Sequence, residues 1–486
     1  MASSLDFPFV AGLDAARWVQ AGLEVWEAWR MTPAQLAASR QQRLVSLLRH
    51  ARAASPFYRA LHAGLPLADD ASLSAYPVVD KHTLMREFDR VSTRPEVTLF
   101  AIDRFVSRPE RHGSLFQGRY AVWTSSGTTG HPGWFVHDPG ALAVYDALEV
   151  QRFRGVGLAQ SWRPGERYAM VAATGGHFAG VSSVERMRRS VPWMAPYVRS
   201  CSLMQPVRSL VAELNRYQPA IVATYPTAAE MLAEEQASGR LHLRLREIWT
   251  GGEWLAHATR ARLRSVFGCP VRNSYGASEF LPIAWECRHL NLHVNSDWVI
   301  LEPVDAAGRP VAPGSRSHSV LLTNLANRVQ PLIRYDLGDA VTLHDRPCAC
   351  GSAFPAISVE GRCDDTLLMP LASGGTGTVV PLALATVLED EAHVHDFQVV
   401  QTGTRALEVR LAEDDGSSAA AVRRALRAYF HAMGFADVAL EVGGQRPCRD
   451  PISGKLRVFL HHHRISSNRD RCPRKNANRL TDAQSQ

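Results

Sequence analysis

The sequence predicts an α/β fold: a large N-terminal domain with mainly parallel sheets and a small barrel-like β subdomain, then a small α+β C-terminal domain. Three observations predict it. Helix and strand signals alternate between Val171 and Ala277, which implies crossover connections and a parallel sheet. From Asp297 the pattern changes to strands separated by turns. Past Gly361 the composition is that of a separate small unit, with the boundary near Arg362 to Asp364.

Taken in order, the first hundred residues read as helical. Leu44, Leu47, Leu48 and Ala51 form one apolar stripe that Pro56 ends. Ala121, Val122 and Trp123 read as the end of a strand. Val207, Leu210, Val211 and Leu214 mark a helix, Ala220 to Thr224 a strand, and Met231 with Leu232 another helix. Leu245 to Thr250 is a strand, Leu263, Val266 and Phe267 a helix closed by Gly268, and Val271 to Tyr275 a strand again. Trp298 to Glu302 and Val320 to Thr323 are the strands of the barrel-like part. In the C-terminal unit, Leu407 to Leu411 and Val438 to Val442 are strands, and Val422 to Met433 carry a helical stripe.

The chain has 486 residues, 46% of them hydrophobic and 21% charged, which are globular values and imply more than one domain. The net charge of +7 and pI near 9.1 owe part of their size to Arg469, Arg471, Arg474, Lys475 and Arg479 in the tail. The other charges are dispersed, with no arginine- and aromatic-rich stripe, so no nucleic acid is expected as a partner and anionic substrates account for the basicity. No apolar run approaches a membrane span and the first thirty residues hold no signal-peptide core. Eight cysteines are too sparse for a disulfide scaffold. A cytoplasmic protein with no membrane partner is expected.

The stretch richest in chemistry is Trp123-Thr124-Ser125-Ser126-Gly127-Thr128-Thr129-Gly130-His131-Pro132-Gly133. Its glycines let successive N–H groups face one concavity, and its hydroxyls add rotatable donors, which suits a polyphosphate. A P-loop would need Lys directly after Gly130, where His131 stands. Tyr275-Gly276-Ala277-Ser278-Glu279 lies at a strand end and offers one carboxylate for a hard cation such as Mg²⁺. Gly251-Gly252-Glu253 and Arg334-Tyr335-Asp336-Leu337-Gly338-Asp339 also follow strands, where the ligands of open α/β sheets gather. Gly361-Arg362-Cys363-Asp364-Asp365 stands at the domain joint, and Pro451-Ile452-Ser453-Gly454-Lys455 presents one lysine on a glycine-flexed loop.

In this order over most of the chain, these motifs resemble those of the adenylate-forming (acyl-CoA synthetase-like) superfamily, and more narrowly its phenylacetate–CoA ligase-like, CapK-like branch. Ser55-Pro56-Phe57-Tyr58-Arg59 and Tyr76-Pro77-Val78-Val79-Asp80-Lys81 resemble the N-terminal cap of that branch. Most of the superfamily has a lysine after the loop's Gly-x-Pro. Here Gly133-Trp134 stand there, and the narrower branch also lacks that lysine. The segment from Pro370 to Val380 departs from the phenylacetate–CoA ligases.

The resemblance implies residues 1–362 as the adenylate-forming domain (1–100 its helical cap), 363–465 as a mobile lid carrying the catalytic lysine, and 466–486 as a disordered basic tail. It implies Ser125, Ser126, Gly127, Thr128, Thr129 and Gly130 on the phosphates of ATP. Gly252, Glu253, Asn273, Ser274, Tyr275 and Gly276 would border the adenine, with Asp339 on the ribose. Catalytic roles fall to Lys455, Arg362 and Glu279, the last holding Mg²⁺; Asp364 is the hinge. His177, Phe178 and Ala277 flank the acyl pocket.

The same resemblance sets Cys287, His293, Cys348 and Cys350 beside a similar set in related ligases, so both a closed Zn²⁺ site and free thiols stand at this point. The activity implied is ATP-dependent activation of a carboxylic acid as acyl-adenylate, then transfer to a thiol, CoA first among them. A carrier-protein thiol or an amine is the alternative acceptor, and a lapsed nucleotide-binding protein the alternative of another class. A homodimer is left open.

Overall fold

The computed structural model describes residues 15–66, 72–125, 133–151, 165–174, 176–360, 367–394, 397–412, 416–447 and 459–461. Up to Val106 the described chain is helical, as the sequence predicts. Helix Pro33–Ala54 starts where Thr32 and Gln35 exchange a reciprocal capping box behind Pro33, and ends at Ser55. The Ser55 hydroxyl then caps helix Pro56–Leu61 and donates to the Arg90 carbonyl at 2.9 Å, tying two turns of the region together. Leu47, Leu48 and Ala51 are fully buried, which confirms the stripe.

The centre is a nine-stranded sheet with two halves. Strands Val198–Ser202, Tyr168–Ala172, Ile221–Thr224, Glu247–Thr250 and Val271–Ala277 are parallel, and helices alternate with them along the chain. Phe280–Glu286, Leu292–Val294, Ala356–Glu360 and Ala340–Leu343 continue the sheet antiparallel. The change of hand falls at the hairpin that joins Val271–Ala277 to Phe280–Glu286, whose two-residue tip is Ser278-Glu279. A buried Arg260–Glu286 pair closes its base: Arg260 also donates to the Val271 carbonyl at 2.7 Å, and Glu286 accepts the Asn273 N–H at 3.0 Å.

The expected barrel is corrected to a three-stranded antiparallel sheet of Val299–Val304, Ser319–Asn324 and Tyr335–Asp336, with no closed barrel among the described residues. Tyr335–Asp336 has only two residues, too little ladder to carry the stagger that closure demands. After residue 366, strands Ala439–Val442, Ala406–Leu411, Phe397–Gly403 and Phe459–His461 form a four-stranded sheet with helix Ser417–Ala432. Leu367, Val399 and Leu426 belong to the same apolar cluster as Leu210, Met231 and Ile248, so the C-terminal unit packs directly on the helical layer of the central sheet. The basic tail lies outside the described residues. No helix among the described residues is long and apolar enough to cross a membrane.

Two positions give stability predictions. His62 is fully buried between Tyr58 and Tyr76, and neither ring nitrogen has a hydrogen-bond partner among the described residues. Burial, helped by Arg52, lowers its pKa from 6.5 to about 4. The unfolded chain therefore takes up a proton that the folded chain refuses, and stability falls as pH drops from 6.5 toward 4. His62→Phe should flatten that slope in urea melts; an unchanged slope would show the ring is not held neutral. At Gly276, the residue at the hairpin's register shift, a methyl group would collide with the Leu281 carbonyl oxygen. Gly276→Ala should lower stability by about 1–3 kcal/mol in the same melts.

Candidate functional site: the tip of the central hairpin

Three hydrogen bonds fix the Ser278-Glu279 tip. Ser278 Oγ donates to the Thr124 carbonyl at 2.9 Å, which joins the tip to strand Ala121–Ser125 at the root of the hydroxyl loop. His137 Nε2 bonds the Ser278 carbonyl at 2.9 Å from strand Gly133–His137, and Asn324 Nδ2 donates to the Glu279 carbonyl at 2.9 Å. His137 Nδ1 lies 3.2 Å from Tyr145 Oη, which in turn accepts from Asn324 Nδ2 at 2.8 Å. Since Nε2–H must donate to a carbonyl, Nδ1 accepts from the tyrosine and the ring is neutral. Burial holds its pKa down at about 3, against the hydrogen bond to Ser278.

The Glu279 side chain is buried, and burial raises its pKa. Lys81 and the Tyr335 hydroxyl act in the opposite sense, while Asp339 adds to the rise. Across the site Tyr275 Oη donates to Asp339 Oδ2 at 2.8 Å. Asp339 is half-buried after a turn at Gly338, where φ is +76°. The Gly338 N–H is itself held by Asp336 Oδ1 at 3.0 Å. Two carboxylates, each bonded by a tyrosine, thus face one site at the carboxyl ends of the parallel strands.

Asn273 and Ser274 belong to this cluster, bonded to Thr250 through its hydroxyl and carbonyl at 3.2 Å each. Ala277 closes the same strand beside the tip. A Cβ on Gly276 would collide with the Leu281 carbonyl oxygen, so the hairpin itself requires glycine there. The Glu253 carboxylate accepts from Thr227 N–H at 3.0 Å and Thr227 Oγ1 at 2.8 Å, capping helix Pro226–Ala237. Burial pushes its pKa up to about 7 against those bonds. Gly252 precedes it in the loop with φ at +79°.

His177 and Phe178 lie beside the loop's root, where the Thr124 N–H donates to the His177 carbonyl at 2.9 Å. The His177 ring is buried against Phe105 and His112, centroids 5.3 and 4.7 Å away, and burial lowers its pKa to about 4. Ser125 pairs with Gly133 at the base of the loop. Ser126, Gly127, Thr128, Thr129, Gly130, Arg362, Asp364 and Lys455 lie outside the described residues. Sequence reasoning missed Tyr335, His137, Tyr145 and Asn324. Tyr335 sits inside the Arg334–Asp339 motif and could have been singled out; the other three carry no local pattern.

A second cluster lies on the antiparallel half. Cys287, His293, Cys348 and Cys350 bring their ligand atoms within 4.8 Å of one another. Cys287 Sγ and Cys348 Sγ are 3.7 Å apart, close to the about 3.8 Å edge of a tetrahedron with ~2.3 Å Zn–S bonds. His293 Nδ1 bonds the Phe354 carbonyl at 2.8 Å, which turns Nε2 toward Cys350 Sγ at 3.3 Å. Backbone N–H groups of His289 and Ser352 point at Cys287 and Cys350 sulfurs. This donor set fits one closed tetrahedral metal with its outer hydrogen bonds in place.

Residues 119–318 match the AMP-binding enzyme family. Among solved structures, the chain is similar to a 2-hydroxyisobutyryl-CoA ligase in its thioesterification state, at 21% identity and TM-score 0.57 over 89% of this chain and 90% of that one. The same ligase in its post-adenylation state matches at 20% identity and TM-score 0.52, over 88% and 89%. Protein CapK of Staphylococcus aureus is 26% identical over 28% of this chain, and the match spans 29% of CapK's length. These matches, with the hairpin-tip geometry and the parallel half-sheet, support the adenylate-forming superfamily, with the match to the AMP-binding enzyme family lying at residues 119–318.

Proposed function

We propose that the chain activates a small-molecule carboxylic acid with ATP as an acyl-adenylate and then passes the acyl group to a thiol, CoA in the first place. The observation that carries the reading is the buried Glu279 carboxylate on a hairpin tip hydrogen-bonded to the root of the hydroxyl loop. Glu279 would hold Mg²⁺, whose charge would offset that of the phosphates. The remaining work belongs to the chain's own residues. The loop from Ser125 to Gly130 donates N–H and hydroxyl hydrogens to phosphate oxygens. Asn273, Ser274 and Tyr275 border the base, and Asp339 accepts from ribose hydroxyls.

In the adenylation step a carboxylate oxygen attacks the α-phosphorus and pyrophosphate leaves; Lys455 and Arg362 meet the charge that develops. In the second step the thiol sulfur attacks the acyl carbon and AMP leaves. Rotation of residues 363–465 about Asp364 would separate the two steps. A carrier-protein thiol or an amine in place of CoA uses the same adenylate. The relative that catalyses a CoA ligation named for 2-hydroxyisobutyrate supports CoA as the first acceptor to test.

Pyrophosphate exchange across a library of carboxylic acids tests the reading. At least one acid should support exchange, and Glu279→Gln and Lys455→Ala should each lower it by about 10²–10³ with the fold intact by circular dichroism. ATP binding without exchange for any acid would favour a lapsed nucleotide-binding protein.

Zn²⁺ is proposed for Cys287, His293, Cys348 and Cys350, in a structural role away from the chemistry. Purified chain should carry close to one equivalent of zinc by mass spectrometry. Cys348→Ser should lower the melting temperature while ATP affinity holds, because structural zinc stabilises folding. Metal-free protein with an unchanged melting temperature would refute it.

A further inference from the structure

The cysteine cluster offers its three sulfurs unequally to solvent. Cys287 is buried where strand Phe280–Glu286 ends, whereas Cys348 and Cys350 are half-buried on a turn. Pro347, Ala349 and Gly351 on that turn are exposed, so a small solute meets its two sulfurs before it meets Cys287. Of the two, Cys350 is the more engaged: its sulfur accepts the Ser352 N–H at 3.4 Å and lies 3.3 Å from His293 Nε2. Cys348 Sγ accepts from Asn291 Nδ2 at 3.3 Å and from the Cys350 N–H at 3.5 Å. Hydrogen-bond donors favour the thiolate, which is the form of cysteine that attacks electrophiles.

Cys348 is also set apart by its neighbour. Cys287 Sγ stands 3.7 Å away and the two are not bonded. The backbone holds them there although 61 residues separate them in sequence. On one side the Cys287 N–H donates to the Asn291 carbonyl at 2.9 Å and the Leu290 N–H to the Cys287 carbonyl at 2.9 Å, which turns the chain into strand Leu292–Val294. On the other, Ala356 pairs with His293 at the start of strand Ala356–Glu360, and the Gly351 N–H closes the cysteine turn on the Cys348 carbonyl at 3.0 Å. From 3.7 Å, rotation of the two side chains is enough to reach the about 2.05 Å of a disulfide. Cys348 and Cys350 are divided by Ala349 alone, so a bridge between them would have to close over that tight turn.

We propose that Cys348 is a hydroperoxide-sensitive modification site with Cys287 as its resolving thiol, and that oxidation of this pair empties the metal site. The inference rests on the zinc assignment above. The Cys348 sulfur attacks the terminal oxygen of the peroxide and the O–O bond breaks. The other oxygen leaves with a proton from solvent, as an alcohol or, from hydrogen peroxide, as water, and Cys348 is left as a sulfenic acid. The Cys287 thiolate then attacks the Cys348 sulfur and displaces hydroxide, which takes up a proton as water. Two thiolates have become one disulfide, and the peroxide has gained the two electrons they lost. His293 and Cys350 remain as ligands, too few for a closed site to keep Zn²⁺. The new bridge joins the same two segments that the metal joined, so reduction can restore the site.

The test uses the full chain purified under reducing conditions, its zinc content measured first. Hydrogen peroxide is added, zinc release is followed with a chromogenic chelator, and disulfides are mapped by mass spectrometry. Zinc should leave in step with the loss of two thiols, and the mapped bridge should be Cys287–Cys348. Dithiothreitol followed by zinc should reload the site. In Cys287→Ser the resolving thiol is gone, and dimedone should label Cys348 as its sulfenic acid; an unlabelled Cys348 counts against the proposal. Because that variant also removes a metal ligand, the wild-type mapping decides. A Cys348–Cys350 bridge, or zinc retained while other cysteines are oxidised, overturns the proposal and leaves the zinc assignment standing. A chain that holds no zinc before peroxide removes that assignment and the release with it, and the mapping then decides the thiol pair alone.

Discussion

The organisation of the site depends on burying one carboxylate, Glu279. Taking such a group out of water costs several kcal/mol unless opposing charge and hydrogen bonds are supplied. The Tyr335 hydroxyl and the Lys81 ammonium supply part of both, and neither comes from a neighbouring stretch of chain. Burial still outweighs them, since the net effect is a raised pKa. A cation entering beside Glu279 works in the same sense as Lys81 and favours the ionised form. This links the local imbalance to the proposed Mg²⁺ chemistry.

A carboxylate is useful to phosphate only if its position is fixed, and the fixing is done by backbone groups. The tip's hydroxyl and two carbonyls are bonded to three different strands. Through His137, Tyr145 and Asn324 these bonds form one connected network with a single proton arrangement. Each member limits the others: an imidazolium at His137 would face the Tyr145 hydroxyl donor-to-donor and force it to turn. Burial excludes that form over the ordinary pH range, which makes the network a rigid joint rather than a titrating one. Trp123 closes over the imidazole at 4.1 Å, so the strand that leads into the hydroxyl loop is part of the same joint.

The sequence made the framework legible because its signals are local. Apolar spacing placed the helix ending at Ala54 and the strands Ile221–Thr224, Glu247–Thr250 and Ala406–Leu411 within a residue or two at most of their ends. It also placed Glu279 and Asp339 after strands. It did not show that Tyr275 bonds Asp339, sixty-four residues away, or that Glu253 caps the helix beginning at Pro226. Lys81 lay inside a quoted motif, yet nothing in its neighbours points at Glu279; its charge reaches that carboxylate only once Val79 pairs with Tyr335. The barrel failed for a related reason. Strand propensity is local, whereas closure depends on how many residues of Tyr335–Asp336 find a partner.

The cysteine cluster and the hairpin tip occupy opposite ends of one strand. Phe280–Glu286 begins directly after Glu279 and ends directly before Cys287. A slip of one residue in that strand would exchange its two faces and swap the sides on which the buried Phe280 and Ile283 pack. It would also move Glu279 away from Lys81 and Cys287 away from Cys348 at once. The buried Arg260–Glu286 pair and the Trp285 ring, stacked between Trp29 and His293 at 4.6 and 5.0 Å, oppose such a slip from the far end. A metal bridging Cys287 and His293 to Cys348 and Cys350 would add a covalent-strength stop at the same end. Its contribution to the site would then be register, transmitted along seven residues of strand to the carboxylate at the tip.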